Sequence, residues 1–214
     1  MDKFVFISDF DGTLTKEDFY LIVVEKFLKE RGQQIIADWQ QGKMNVREFL
    51  ATVFRSINRS ETEIFEAIKT IPLDRHAKTF IEWVRQHGGN FVILSAGTSY
   101  YIERLLEYKQ IKGVQVISNR GYYEDGGIQL VADPDSPFYS ETYGIDKSLV
   151  VKELKQKYSK VFFAGDSEPD LKAALEADLV FATGHLQKLL QKKNHPFIAF
   201  ESFTEINDYL ANII

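Results

Sequence analysis

Phe4-Val5-Phe6-Ile7-Ser8 runs straight into Asp9-Phe10-Asp11-Gly12-Thr13 near the start of the 214-residue chain. A short uninterrupted apolar run that ends in turn-forming residues suits a strand buried on both faces, and such strands belong to parallel sheets. Two carboxylates one residue apart at its end, near free backbone N–H groups, invite a hard cation. Asp and Gly are also ordinary turn residues, so the pair alone reads equally as a polar strand-to-loop turn.

Downstream of this strand the pattern turns helical. Leu21, Val24, Phe27 and Leu28, then Phe49, Leu50, Val53, Phe54 and Ile57, then Ile64, Phe65 and Ile68 recur at three- and four-residue spacing with no strand between them. Beyond Pro72 helix and strand alternate: helices are predicted over 77–87, 99–108, 147–158, 170–177, 186–192 and 203–213, and strands over 91–94, 114–117, 161–164, 179–182 and 197–200. This alternation predicts an α/β fold with a doubly wound parallel sheet whose ligands bind at the carboxyl ends of the strands. The boundaries fall near Lys16 and Pro72, giving a core of 1–15 and 73–214 and a helical insert of 16–72 placed to cover those strand ends. Tyr122-Tyr123-Glu124-Asp125-Gly126-Gly127-Ile128 reads as a hairpin, and 133–143 as a loop.

Composition narrows the chemistry. With 44% hydrophobic and 27% charged residues the chain can bury a real core, and a net charge of -5 argues against a broad attraction to nucleic acid or anionic membrane. The absence of cysteine excludes disulfides, thiolate metal sites and a thiol nucleophile. Met1-Asp2-Lys3 leads into a stretch too short and too acidic for a signal peptide, and no run approaches the roughly 18 apolar residues of a membrane span. The expectation is a soluble, cytoplasmic protein.

Three further strand or helix ends carry reactive groups. The strand over 91–94 runs into Ser95-Ala96-Gly97-Thr98, a small hydroxyl-bearing turn that either grips phosphate or caps the next helix. Lys147 opens a helix, where the positive end of the dipole disfavours a cation, so a functional role for it requires an anion in front. Gly165-Asp166-Ser167-Glu168-Pro169-Asp170 follows the strand over 161–164. Ser167 and Asp170 have capping-box spacing, which leaves Asp170 open to a structural reading, whereas Asp166 precedes the cap and is the better metal ligand.

Taken together, Asp9-x-Asp11-Gly12-Thr13, Ser95, Lys147 and Gly165-Asp166-x-x-x-Asp170 resemble the four motifs of the haloacid dehalogenase superfamily of phosphatases, over nearly the whole chain. The resemblance implies hydrolysis of a small phosphorylated metabolite, with Asp9 as nucleophile and Asp11 as general acid and base. It implies Mg²⁺ on Asp9, the Asp11 carbonyl oxygen and Asp166, phosphate held by Ser95, Ala96, Gly97 and Lys147, and Asp170 supporting from behind. Asp11 favours phosphoryl transfer, since the dehalogenases of the superfamily carry no Asp there. The helical insert is similar to the cap of the phosphoserine-phosphatase-like branch, and within it the chain most resembles phosphatases that act on 2-hydroxy-3-keto-5-methylthiopentenyl-1-phosphate in methionine salvage. Where phosphoserine phosphatases carry a Glu after the nucleophile and a cap Arg, this chain offers Glu17 or Asp18 and places Val53 near the second, with Arg47 and Arg55 on the same helix. Where the methionine-salvage enzymes carry a Cys-rich segment, it has Asp133-Pro134-Asp135-Ser136-Pro137-Phe138-Tyr139.

Two alternatives share the residues: a phosphotransferase passing the group from Asp9 to an alcohol, and a phospho-accepting signalling domain, which lacks a helical insert at this place. His76, His87, His185 and His195 are scattered and read as surface or core residues; Tyr100 and Tyr101 read as packing or as a pocket wall. The sequence leaves the oligomeric state open.

Overall fold

The computed structural model describes residues 4–214; the Met1-Asp2-Lys3 lead-in lies outside the described residues. Strand β1 (Phe4–Ser8) passes into a tight turn closed by the Thr15 N–H, which donates to the Phe10 carbonyl at 2.9 Å. Four helices follow: α1 (Phe19–Val23), continued by one wider turn to Leu28, then α2 (Glu30–Gln40), α3 (Val46–Arg55) and α4 (Glu61–Lys69). Asn45 and Glu48 form a capping box at the start of α3, and Ser60 and Glu63 do the same for α4, which fixes where each helix begins.

After α5 (Ala77–Gln86) and β2 (Gly89–Thr98) come α6 (Ser99–Tyr108) and a hairpin of β3 (Gln115–Glu124) and β4 (Gly127–Val131). The segment expected to be a plain loop holds a second, very short hairpin, β5 (Tyr139–Ser140) with β6 (Gly144–Ile145). The chain closes with α7 (Lys147–Lys157), β7 (Val161–Gly165), a short turn over Glu168–Asp170, α8 (Leu171–Glu176), β8 (Leu179–Ala182), α9 (Gly184–Lys192), β9 (Ile198–Ala199) and α10 (Phe203–Ala211). The predicted strand over 91–94 is longer at both ends, because β2 stays paired with β1 from Gly89 and with β3 out to Thr98 across a register shift.

Seven strands form one sheet in the order β4-β3-β2-β1-β7-β8-β9, parallel throughout except for β4. β1 sits in the middle, with β2 on one side and β7 on the other, so the chain reverses direction across the sheet there. The crevice beyond its carboxyl end is the topological switch point of such a fold. β1 is apolar throughout because both faces are covered. Phe4 and Phe6 point into the cluster shared with α5, α6 and α10, while Val5 and Ile7 point into the cluster with α7, α8 and α9. The Phe6 ring lies 4.8 Å from Phe80 and 5.6 Å from Phe91, centroid to centroid. Burying such a side chain contributes about 1.5–3 kcal/mol.

The chain leaves and re-enters this sheet region through two segments that run side by side. Lys16 N–H donates to the Pro72 carbonyl and Asp74 N–H to the Leu14 carbonyl, both at 2.9 Å. Among the described residues no helix is long and apolar enough to cross a membrane.

Candidate active site

Asp9 stands at the end of β1, where its own N–H donates to the Ala164 carbonyl of β7 at 2.9 Å. Its Oδ1 accepts from the Phe10 N–H and from Lys147 Nζ, each at 2.7 Å. Oδ2 has no hydrogen bond among the described residues. Gly12, at φ +73°, lets the turn pass close to Asp166; a Cβ there would stand 2.6 Å from Asp166 Oδ2. Thr13 Oγ1 donates to Asp166 Oδ1 at 3.2 Å.

Lys147 opens α7, which Asp146 caps by accepting from the Ser148 N–H at 2.9 Å. The anion expected in front of Lys147 is a pair of carboxylates, since Nζ also donates to Asp170 Oδ1 at 2.7 Å. Lys147 is 3% exposed and Asp170 0%. Asp170 Oδ2 meanwhile accepts from the Asp166 and Ser167 N–H groups at 3.0 and 3.1 Å. One Asp170 oxygen thus accepts from the backbone of the turn and the other from the lysine.

Ser95, at the carboxyl half of β2, accepts from the Gly97 N–H at 2.9 Å, and Thr98 is the residue that caps α6. Ser95 is thereby released from capping. Asn119 of β3 donates to the Ala96 carbonyl at 2.8 Å and to the Tyr143 carbonyl at 2.9 Å, clamping the Ser95 turn to the segment that leads into Lys147. Asp11 accepts at Oδ1 from the Phe19 N–H at 2.9 Å and at Oδ2 from the Tyr101 hydroxyl.

Electrostatics follow from burying many acids beside one cation. Burial pushes Asp9 well above the ordinary carboxylate range, and Asp170 adds to this, with Lys147 pulling the other way. Burial also raises Asp11, against the hydrogen bonds from Tyr101 and Phe19. Asp166 is pushed up to about 7 by burial and then by Asp170, and Asp18 up to about 8 by burial and then by Asp11. Burial alone would lower Lys147, but Asp170 and Asp9 outweigh it and hold the ammonium above the ordinary lysine value. Such a crowd of carboxylates is relieved by a cation.

Asp9, Asp166 and Asp170 each bring an oxygen within 4.8 Å of the others. All donors of this cluster are hard carboxylate oxygens, as Mg²⁺ requires, with no nitrogen or sulfur ligand among them to favour a softer metal. Both Asp170 oxygens are already engaged, so Asp9 and Asp166 are the side chains that fit a metal.

Asp9, Asp11 and Lys147 line a cavity of about 370 Å³ together with Ser95, Ala96 and Gly97, whereas Asp166 and Asp170 stand behind its wall and do not line it. Its opposite wall comes from the helices after β1: Tyr20, Trp39, Val46, Phe49, Leu50 and Phe54. None of these stands out as a site residue in the sequence, because helical spacing marks an apolar face without saying whether core or cavity covers it. His185 is exposed, in keeping with its reading as a surface residue, and also borders the same cavity; the signal for the latter is its place directly after strand β8 and Gly184. Tyr101 is a cavity wall, one of the two roles expected for it, whereas Tyr100 turns to the Glu61 carboxylate at 2.9 Å. Val53 is fully buried, Arg47 donates to the Tyr139 hydroxyl at 2.9 Å, and Arg55 lines a separate groove, so among the described residues no arginine lines the cavity. Glu17 and the 133–139 segment do not line it either; Asp18 does.

The profile of the haloacid dehalogenase-like hydrolases matches residues 6–175. A 2-hydroxy-3-keto-5-methylthiopentenyl-1-phosphate phosphatase of Microcystis aeruginosa is 28% identical over 214 residues, covering 98% of each chain. A polyol phosphate phosphatase of Saccharomyces cerevisiae is 28% identical over 226 residues, covering 96% of this chain and 92% of its own. Among solved structures, a substrate-bound phosphoserine phosphatase superposes with a TM-score of 0.70 at 17% identity, covering 98% of this chain and 99% of its own.

Proposed function

Because this chain belongs to the haloacid dehalogenase-like hydrolase family and is a phosphatase, we propose that it hydrolyses a small phosphomonoester through a phosphoryl group carried on Asp9. Asp9 attacks phosphorus, the bond from phosphorus to the ester oxygen breaks, and Asp11 gives its proton to that oxygen to release the alcohol. Water then attacks the phosphorus on Asp9, losing its proton to Asp11, and the carboxylate is regenerated with inorganic phosphate. Ser95, with the backbone of Ala96 and Gly97, and Lys147 hold the phosphoryl oxygens, and Asp170 keeps Lys147 in place. Asp9, Asp166 and the Asp11 carbonyl oxygen would hold Mg²⁺, which when bound supplies charge neutralisation at the phosphoryl oxygens. Residues 16–72 act as a lid over the core of 1–15 and 73–214, closing once substrate is seated and keeping bulk water from the reacting groups.

The observation that carries this reading is Lys147 Nζ at 2.7 Å from both Asp9 and Asp170, which unites groups from three distant parts of the chain at the switch point. Apolar walls and the lack of a cavity arginine favour an uncharged leaving group with apolar surface over an amino acid. An ester such as 2-hydroxy-3-keto-5-methylthiopentenyl-1-phosphate therefore suits the cavity better than phosphoserine, whose carboxylate would meet no guanidinium. The test is phosphate release from a panel of monoesters including both, with Mg²⁺ and with chelator, for the wild type and Asp9→Asn. Mg²⁺-dependent release that Asp9→Asn abolishes supports the reading; release unaffected by chelator or by the substitution overturns it. Turnover that rises with added alcohol would move the assignment to phosphotransfer.

A further inference from the structure

Asp11 is held at both oxygens by a pair of residues that also pack on each other. The Phe19 N–H donates to Oδ1 at 2.9 Å, the Tyr101 hydroxyl donates to Oδ2, and the Phe19 and Tyr101 rings lie 4.7 Å apart, centroid to centroid. The Tyr101 ring is 1% exposed and stands 5.9 Å from Phe10 in the turn after β1 and 5.7 Å from Phe54 of α3. Its hydroxyl fills the space above Gly97, where a Cβ would lie 1.8 Å from the oxygen. That hydroxyl thus lies between the turn that would grip the phosphoryl group and the carboxyl that would protonate the leaving oxygen.

We infer that Tyr101 is a positioning residue for Asp11, fixing the plane of its carboxyl so that the proton-bearing oxygen faces the departing ester oxygen. This rests on the proposed function, in which Asp11 is the general acid. A carboxyl held at one oxygen turns about its last side-chain bond; one held at both does not, and proton transfer is sensitive to such alignment. Each Asp11 oxygen keeps a second lone pair, so the two donors orient the group without occupying the place of its proton. The proton passes from Asp11 to the ester oxygen as the bond to phosphorus breaks, and Tyr101 neither gains nor loses one.

Because the role is confined to leaving-group protonation, its removal should be felt in proportion to how much the leaving group needs a proton. An alkoxide needs one and p-nitrophenolate does not. In Tyr101→Phe, which keeps the ring in its aromatic nest, kcat/KM for the best alkyl ester of the panel should fall about tenfold to hundredfold, a part of the 10²–10⁴-fold that general acids supply. For p-nitrophenyl phosphate the fall should stay under about threefold, since kcat/KM reports steps up to leaving-group departure. Thermal unfolding of Tyr101→Phe alongside the wild type separates the bias from loss of folded protein. Equal falls on both esters, or no fall on either, overturn the positioning role. Asp11→Asn is the reference: if it shows the bias while Tyr101→Phe does not, only this inference fails, and if Asp11→Asn turns over both esters at wild-type rates, the proposed function fails with it.

Discussion

Lys147 Nζ and Asp170 Oδ1 are 2.7 Å apart in a site that hides both side chains from solvent, and the other Asp170 oxygen is bound to backbone N–H groups of the turn that carries Asp166. One carboxylate therefore sets both the lysine and the Asp166 turn.

Asp170→Asn should damage both. It leaves Lys147 with Asp9 as its one carboxylate partner, and breaking a buried ion pair costs about 3–5 kcal/mol. Urea unfolding should show a loss of that order, and kcat/KM should fall about 10²-fold, as for other groups that orient a ligand from behind. Intact turnover in a destabilised protein would reduce Asp170 to a cap.

Asn119→Ala removes the donor that joins the Ala96 and Tyr143 carbonyls. One buried and one partly buried acceptor lose their partner, the buried one at about 1–3 kcal/mol where water cannot replace it. The clamp also spaces Ser95 from Lys147, so KM for the phosphate ester should rise together with the fall in unfolding free energy.

Asp18 gives a pH signature. Its folded value, pushed up to about 8 from 3.8 by burial first and Asp11 second, means that the folded protein binds this proton more tightly than the unfolded chain. The stability linked to it is present in full below pH 3.8 and is lost as pH rises through about 8. Asp18→Asn should therefore leave the metal-free protein more stable than the wild type at pH 9 and no more stable at pH 4, as read by urea unfolding at each pH. Equal stability gains at the two pH values would show that the proton is not the cause.

Trp39 stacks on Phe49 with centroids 4.4 Å apart, and both line the cavity. Trp39→Ala should raise KM for esters with an apolar tail by about tenfold, because the tail then buries less apolar surface against the wall, and change kcat little. A compact ester such as glycerol phosphate should be affected less, and equal effects on both would mean that the wall does not touch the leaving group.

Much of this site could be read in the chain because its parts lie where strands end. The apolar run Phe4–Ser8 marks a central strand, Asp9 and Asp166 directly follow β1 and β7, and Ser95 lies in the carboxyl half of β2. What stayed hidden was contact across sequence. Phe49 and Phe54 have the spacing of a core face, and only the neighbouring helices decide which part of that face opens to the cavity. The hydrogen bond from Tyr101 to Asp11 joins residues 90 apart, and the clamp made by Asn119 depends on carbonyls in two different segments. Periodicity carries no information about such pairs.

The side-by-side passage of residues 14–16 and 72–74 bears on how enzymes of this kind diversify. Because the outgoing and returning chain are already tied to each other, whatever is strung between them can be lengthened, shortened or exchanged without pulling on β1. On the proposed function, reactivity at the strand ends and substrate choice in the helices are then separable parts. A graft that joins at Leu14 and Asp74 should carry one enzyme's appetite onto another's chemistry.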